Sequence, residues 1–189
     1  ALTERKVSWV LDADIKGFFD NLDHEWLMKF VAHRVADERV LDLIRRWLRA
    51  GVSEDGEWSE STKGTPQGAV ISPILANIYL HYVLDLWVKK WRETAKGEVY
   101  IVRYADDFVM GFQYRDDAER LLGQLRQRMA KFGLELHPEK TRLIRFGRFA
   151  AGDRDRDGEP KPETFNFLGF THYCTRTRKG RFTVGRQSI

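Results

Sequence analysis

Cysteine is almost missing from this sequence: among its 189 residues the only one is Cys174. One thiol excludes an intrachain disulfide framework and a cysteine-based zinc cluster. Long apolar runs are missing as well, and none approaches the ~18 residues that a membrane-spanning helix requires. The opening residues, Ala1 to Lys6, are mostly polar and lack the apolar stretch of a secretory signal. No internal repeat is visible. These absences predict a cytoplasmic protein in reducing surroundings, without membrane association.

What is present argues for a folded globule. The hydrophobic fraction is 42% and the aromatic fraction 13%, enough for a sizeable core in one domain over residues 1–189. The net charge is +4, from 32 basic and 28 acidic residues. Its distribution says more than its size. From Arg176 onward come Arg178, Lys179, Arg181 and Arg186, with no acidic residue to the end. Such a patch can neutralise phosphates and release counterions. A solvated basic tail fits the same residues equally well.

Periodicity and punctuation give the elements. Val7 to Ala13 reads as a strand. A helix over roughly Asp23 to Val35 turns Leu27, Phe30 and Val31 inward. Asp37 can cap a second helix with Val40, Leu41, Ile44, Trp47 and Leu48 on one side and Gly51 as its stop. Ser72 can cap a third, with Pro73 at the first helical position, running to about Lys90. Its rows Ile74, Ile78, Tyr82 and Leu75, Tyr79, Val83 predict a wide buried stripe. Val99 to Phe112 reads as two strands around a turn at Ala105-Asp106-Asp107. Asp116 can cap a helix that turns Ala118, Leu121, Leu122, Leu125, Met129 and Phe132 inward and stops at Gly133. Arg142 to Phe146 reads as a strand and Ala150 to Glu163 as a loop. Phe165 to Tyr173 and Arg181 to Val184 read as a final hairpin. Without the two helices after the first strand, the order is strand, helix, strand, strand, helix, strand. That is the split β-α-β pattern of ferredoxin-like domains, an α+β antiparallel sheet packed on helices. Unrelated proteins share it, so it gives no function.

The carboxylates are more specific. In this topology the first strand lies beside the central hairpin, so its end meets the hairpin turn. Asp14 therefore approaches Asp106 and Asp107, which follow 92 and 93 residues later. Two adjacent acids in a turn are also ordinary turn chemistry. Here, however, Ile101-Val102 and Phe108-Val109 make both arms of the hairpin apolar. Like charges crowded at the tip of a buried hairpin are costly unless a cation offsets them. Phosphoryl transfer onto a 3′-hydroxyl uses two Mg²⁺ ions ~3.5–4 Å apart, and Mg²⁺ takes hard oxygen ligands. Asp12 shares a strand face with Asp14 and reads as an outer group. Asp20 and Asp23 read as local turn and cap residues.

Five motifs then resemble one family in its own order. Tyr104-Ala105-Asp106-Asp107 resembles the catalytic box of reverse transcriptases, in the form typical of bacterial group II intron enzymes. Asp14-Ile15-Lys16-Gly17-Phe18-Phe19-Asp20-Asn21-Leu22-Asp23-His24 resembles the first palm motif. Gly64-Thr65-Pro66-Gln67-Gly68, followed by Ser72-Pro73-Ile74-Leu75-Ala76-Asn77-Ile78-Tyr79-Leu80, resembles the second. Gly133-Leu134-Glu135-Leu136-His137-Pro138-Glu139-Lys140-Thr141 resembles the motif after the catalytic hairpin. Phe165-Asn166-Phe167-Leu168-Gly169-Phe170 resembles the primer-side hairpin. Together they cover about residues 9 to 175.

The resemblance implies a polymerase palm that transfers dNTPs onto a primer 3′-hydroxyl. It implies that Asp14, Asp106 and Asp107, with the backbone carbonyl of Ile15, hold two Mg²⁺ ions, Mn²⁺ being an alternative. It implies that Phe19 excludes a ribose 2′-hydroxyl, with Phe18 as a core aromatic. Gln67, Gly68 and Tyr104 would line the substrate pocket. Lys140 would approach the pyrophosphate, although a solvated surface lysine fits it too. The implied partners are an RNA template, a DNA primer, dNTPs and intron RNA. The family's fingers would precede the first motif, yet 13 residues stand before Asp14. Its thumb, or maturase region, would follow Ile189. The expectation is thus a palm without either, prone to self-association through faces they would cover. A non-catalytic RNA-binding fragment, and the palms of retron, diversity-generating or CRISPR-linked enzymes, remain alternatives. A metal nuclease or nucleotidyl cyclase on a similar sheet has no use for the Thr65-to-Gly68 and Lys140 motifs.

Overall fold

The computed structural model describes residues 5–49, 52–54, 57–59, 63–65, 70–150, 152, 156 and 162–189. Its centre is a four-stranded antiparallel sheet of β1 (Trp9–Ala13), β4 (Val99–Tyr104), β5 (Asp107–Phe112) and β6 (Arg142–Arg145), in the order β4-β5-β1-β6. This is the split β-α-β order that the sequence predicts. The two central strands lie adjacent, in the register Trp9 opposite Phe112 through Ala13 opposite Phe108. Both bury apolar side chains on two faces, and every residue from Phe108 to Phe112 is buried.

Helices cover one face. Asp23 caps α1 (His24–Ala32): its carboxylate accepts the Trp26 amide at 2.9 Å. Leu27 and Val31 then point into the core. Helix α2 (Glu38–Arg49) follows Asp37, whose carboxylate accepts the Arg39 amide at 2.9 Å, and buries Leu41, Ile44 and Leu48. Val40 and Trp47, expected with them, stay largely exposed at the rim of that stripe. Gly51, its expected stop, lies outside the described residues. A short hairpin of β2 (Val52–Glu54) and β3 (Glu57–Ser59) follows, which periodicity does not announce. Helix α5 (Arg115–Lys131) buries Ala118, Leu121, Leu125 and Met129, and the chain leaves it through Gly133 at φ 70°.

The segment expected as one helix from Ser72 to Lys90 is built differently. It comprises α3 (Ser72–Leu80), five π-helical residues (His81–Asp85), α4 (Leu86–Trp91) and a 3₁₀ turn (Arg92–Thr94). Ser72 is not its cap. The cap is Ile71, with no side-chain hydrogen bond, and its carbonyl accepts the Ile74 and Leu75 amides. Pro73 sits in the first turn, where its missing N–H is harmless. The inward stripe is Leu75, Ala76, Tyr79, Leu80, Val83 and Leu84. Ile74, Ile78 and Tyr82 instead line a surface groove of about 550 Å³ beside Val31 and Val35. The widened turn frees carbonyls from the helical ladder. Arg128 satisfies two of them, donating to Val83 O at 3.0 Å and Tyr82 O at 3.1 Å.

Asp116 is likewise not a cap. Tyr114 precedes α5 without a side-chain bond, and Asp116 lies exposed in the first turn. Its neighbour Asp117 is the buried one. That carboxylate accepts the amides of Lys96 at 2.9 Å and Gly97 at 3.0 Å and a bond from Arg120 at 3.0 Å. Trp26, Phe30, Tyr79, Tyr82 and Phe132 form a ring cluster between α1 and the π-helical segment, with Phe30 stacked on Tyr82 at 4.8 Å.

The opposite face of the sheet carries a second, smaller core of Val7, Val10, Val109, Ile144, Phe146 and Phe165. It is covered by a three-stranded sheet of β7 (Phe165–Phe167), β8 (Phe170–Arg176) and β9 (Phe182–Ser188). The expected hairpin is thus a three-stranded meander, with longer second and third strands. Its first turn places Leu168 at φ 52° and Gly169 at φ 76°. Of the expected loop from Ala150 to Glu163, the described residues Ala150, Gly152 and Arg156 are helical instead, and most of the others lie outside the described residues.

Candidate active site

The β1–β5 ladder ends with Ala13 opposite Phe108, so Asp14 and Asp107 are the residues that flank its last pair. The pleat turns Asp12, Asp14 and Asp107 toward the face that carries β7 and β8. A cavity of about 490 Å³ opens there, lined by Asp12, Ala13, Asp14, Asp107, Glu139, Lys140, Arg142 and Asn166.

The hairpin turn that presents the acids has two residues, Ala105 and Asp106, since Asp107 already pairs with Tyr104. Ala105 stands at φ 53°. A residue with a Cβ pays roughly 1–2 kcal/mol for that left-handed conformation. A glycine would relieve it, so its surroundings must hold it. Arg103 donates to Ala105 O at 2.7 Å.

The loop after α5 brings the basic side chain. Residues 135–137 run antiparallel to residues 14–16, through the bridge Ile15 to Leu136 and the bonds His137 N to Asp14 O at 2.8 Å and Lys16 N to Glu135 O at 2.9 Å. Neither bond uses Ile15's own N–H or carbonyl. Both therefore face the other edge, the side on which β5 lies. The Ile15 side chain is buried in the main core. Along this loop Lys140 Nζ comes 3.0 Å from Asp14 Oδ2, at a partly exposed ion pair. Arg142 lies opposite Asp12 in the β1–β6 register and donates to its carboxylate at 3.2 Å.

Electrostatics follows from this crowding. Burial pushes the Asp107 carboxyl above its ordinary range. The Leu168 amide donates to it and pulls it down, and the charges of Asp12, Asp106 and Asp14 push it up. Burial also raises Asp12; Arg142 opposes that and Asp14 adds to it. The donors are hard carboxylate oxygens, of the kind Mg²⁺ accepts, and their mutual repulsion is what a cation relieves. Among the described residues, no three acidic, histidine or cysteine side chains already stand together as a chelating cluster. The Lys140 ammonium is the cation on Asp14.

The structure thus brings Asp14, Asp107 and Lys140 into one cavity, with Asp106 near enough for its charge to act on Asp107. Among the described residues Phe19 does not line that cavity. It is half-buried against the main core, 5.4 Å from the buried Phe18 ring. Its carbonyl accepts the Thr65 amide at 2.8 Å, while Leu22 O accepts Gly64 N at 2.7 Å and His24 Nε2 lies 2.6 Å from Gly64 O. The first motif and the start of the second are therefore clasped together. Gln67 and Gly68 lie outside the described residues. Tyr104 is exposed on β4. Asp20 is exposed in the turn after β1, and Asp23 is the cap of α1. Sequence reasoning missed Arg142, Glu139, Asn166 and Arg103. The alternation that puts Asp12 and Asp14 on one face could have found Arg142, once β6 was paired with β1.

The sequence model of the family described as Reverse transcriptase (RNA-dependent DNA polymerase) matches residues 1–172. The chain belongs to that family. Among its relatives, the Group II intron-encoded protein LtrA of Lactococcus lactis subsp. cremoris is 42% identical over 90 residues, which span 46% of this chain and 15% of that protein. Protein YkfC of Escherichia coli (strain K12) is 35% identical over 133 residues, 57% of this chain and 35% of that protein. The chain thus corresponds to a minor part of the length of these relatives. Apo telomerase from Candida tropicalis superimposes with a TM-score of 0.70 over 96% of this chain and 33% of that one, at 15% identity. That likeness is one of fold: a polymerase-like α+β sheet with helices on one face. No helix among the described residues is long and apolar enough to cross a membrane.

Proposed function

We propose that this chain is the palm of an RNA-directed DNA polymerase of group II intron type, extending a DNA primer on an RNA template. The observation that carries the reading is the cavity that Asp14 and Asp107 line together where the β1–β5 ladder ends. It joins carboxylates 93 residues apart in the chain at one place. Asp14, Asp106 and Asp107, with the Ile15 carbonyl, would hold two Mg²⁺ ions, which Mn²⁺ could replace. Such ions make a 3′-hydroxyl nucleophilic and neutralise charge on the departing pyrophosphate. The protein's own part is to position. Lys140, already at Asp14, is within reach of a phosphate and can give it a proton. Phe19, in the turn after β1 with its carbonyl held by the Thr65 amide, would act as the ribose gate. Gln67, Gly68 and Tyr104 complete the nucleotide pocket. The Leu168 turn, bonded to Asp107, carries the primer terminus, and the basic β8–β9 end meets nucleic-acid phosphates.

Primer extension on poly-rA with oligo-dT and Mg²⁺, in the full open reading frame that carries this chain, tests the reading. Incorporation that vanishes in Asp106→Asn supports it. Nucleic-acid binding without incorporation would defeat it in favour of a non-catalytic RNA-binding module.

A further inference from the structure

Arg103 lies two residues before the acidic turn, on the helix-facing side of β4, and its side chain is only 13% exposed. Its guanidinium makes four hydrogen bonds. Nε and Nη2 grip the two oxygens of Asp85 at 2.8 Å and 2.6 Å. Nη1 donates to Asn77 Oδ1 at 2.8 Å and to Ala105 O at 2.7 Å. Asp85 is the last residue of the π-helical segment, and Asn77 belongs to α3. The widened turn is itself secured from below by Arg128 at Tyr82 O and Val83 O. A continuous polar chain thus runs from α5 through the π-helical segment to the left-handed turn that presents Asp106 and Asp107. It approaches that turn from the face opposite the cavity.

We propose that Arg103 is a positioning residue for the polymerase site. Held by Asp85 and Asn77, it fixes the carbonyl of Ala105 and so keeps the turn in the conformation that aims Asp106 and Asp107 at Asp14. This rests on the polymerase reading for its catalytic consequence, but not for its structural one. The planar fork is essential to it, because one group must bind both Asp85 oxygens while a third N–H reaches Ala105. A lysine keeps the charge and loses the fork. A helix without the extra π residue would rotate Asp85 by about 100° away from Arg103.

The test compares wild type with Arg103→Lys and with the uncharged pair Arg103→Gln/Asp85→Asn, which spares the fold a lone buried charge. Two readouts are taken. In primer extension, kcat should fall by about 10- to 100-fold while KM for dNTP stays within about threefold, as a sub-ångström displacement of the acids predicts. In hydrogen exchange without metal or substrate, the amides of residues 105–107 should exchange roughly tenfold faster or more, as loss of a charge-assisted bond predicts, with α5 unchanged. Unchanged exchange at 105–107 in both variants overturns the inference, however active the wild type. Faster exchange with unaltered kcat overturns its catalytic half. Variants that exchange faster at 105–107, beside a wild type that never incorporates dNTP, defeat the polymerase reading alone.

Discussion

Gly64→Ala is the sharpest probe of the clasp between the first two motifs. A Cβ built on Gly64 falls 2.8 Å from the carbonyl oxygens of both Phe19 and Asp20 and 3.0 Å from the Asp20 carbonyl carbon. These are backbone atoms, which cannot step aside as a side chain does. Gly64 also stands at φ 81°, so alanine carries the left-handed penalty of roughly 1–2 kcal/mol. Overpacking against fixed atoms adds about 1–3 kcal/mol. The expected loss is therefore about 2–5 kcal/mol, which in a domain of this size lowers Tm by at least about 4 °C. The displaced backbone carries Phe19, so discrimination between dNTP and rNTP should weaken together with stability. Gly123→Ala is the control. Nothing lies within 4 Å of its Cβ in the middle of α5, and the substitution should stabilise by about 0.5–1 kcal/mol. Thermal unfolding of both variants decides the matter. A Gly64→Ala protein that melts within a degree of wild type with unchanged selectivity would refute the reasoning.

Other expectations are as direct. Asp117→Ala removes the buried acceptor of the part-buried Lys96 and Gly97 amides and should cost about 1–3 kcal/mol in denaturant unfolding; a loss below ~0.5 kcal/mol would mean water replaces the carboxylate. Asp107 has a folded-state pKa raised above the unfolded value near 3.8, so its proton is held more tightly by the fold. Its contribution to stability is present at low pH and is lost as pH rises through the raised value. Metal-free Asp107→Asn should accordingly melt higher than wild type at neutral pH, with the difference closing below the unfolded pKa, and Mg²⁺ should raise Tm more in wild type than in the variant. Phe19→Val should admit rNTPs in single-nucleotide incorporation. An unaltered dNTP/rNTP ratio would remove the gate role.

Much of this arrangement was legible in the sequence, for identifiable reasons. The split β-α-β order follows from alternating periodicities, and the approach of Asp14 to the hairpin turn follows from that order, because the first strand lies beside the central hairpin and its end meets the turn. The cap at Asp23 was legible because a cap is a local device. The interior of the segment from Ser72 onward was not. Two neighbouring apolar rows fit a helix equally, and the extra π residue that chooses between them is stabilised by Arg128, 45 residues beyond Val83. Asp116 and Asp117 are equally good caps on paper; the distant amides at Lys96 and Gly97 decide which turns inward. Arg103 was overlooked for the same reason: its partners lie on other elements, and no spacing rule connects them.

One consequence concerns how such a chain comes together. The first strand sits in the middle of the main sheet, yet both of its neighbours, residues 107–112 and 142–145, come from much later in the chain. As the polypeptide emerges from a ribosome, one edge of that strand must wait 94 residues for Asp107 and the other 129 residues for Arg142, a standing invitation to mispairing. Helices α1 and α2 emerge meanwhile and can shelter one of its faces, though neither of its edges. The carboxylate at position 14 thus gains its companions only near the end of folding, and an inactive, aggregation-prone intermediate is the expected product of any truncation ahead of β6.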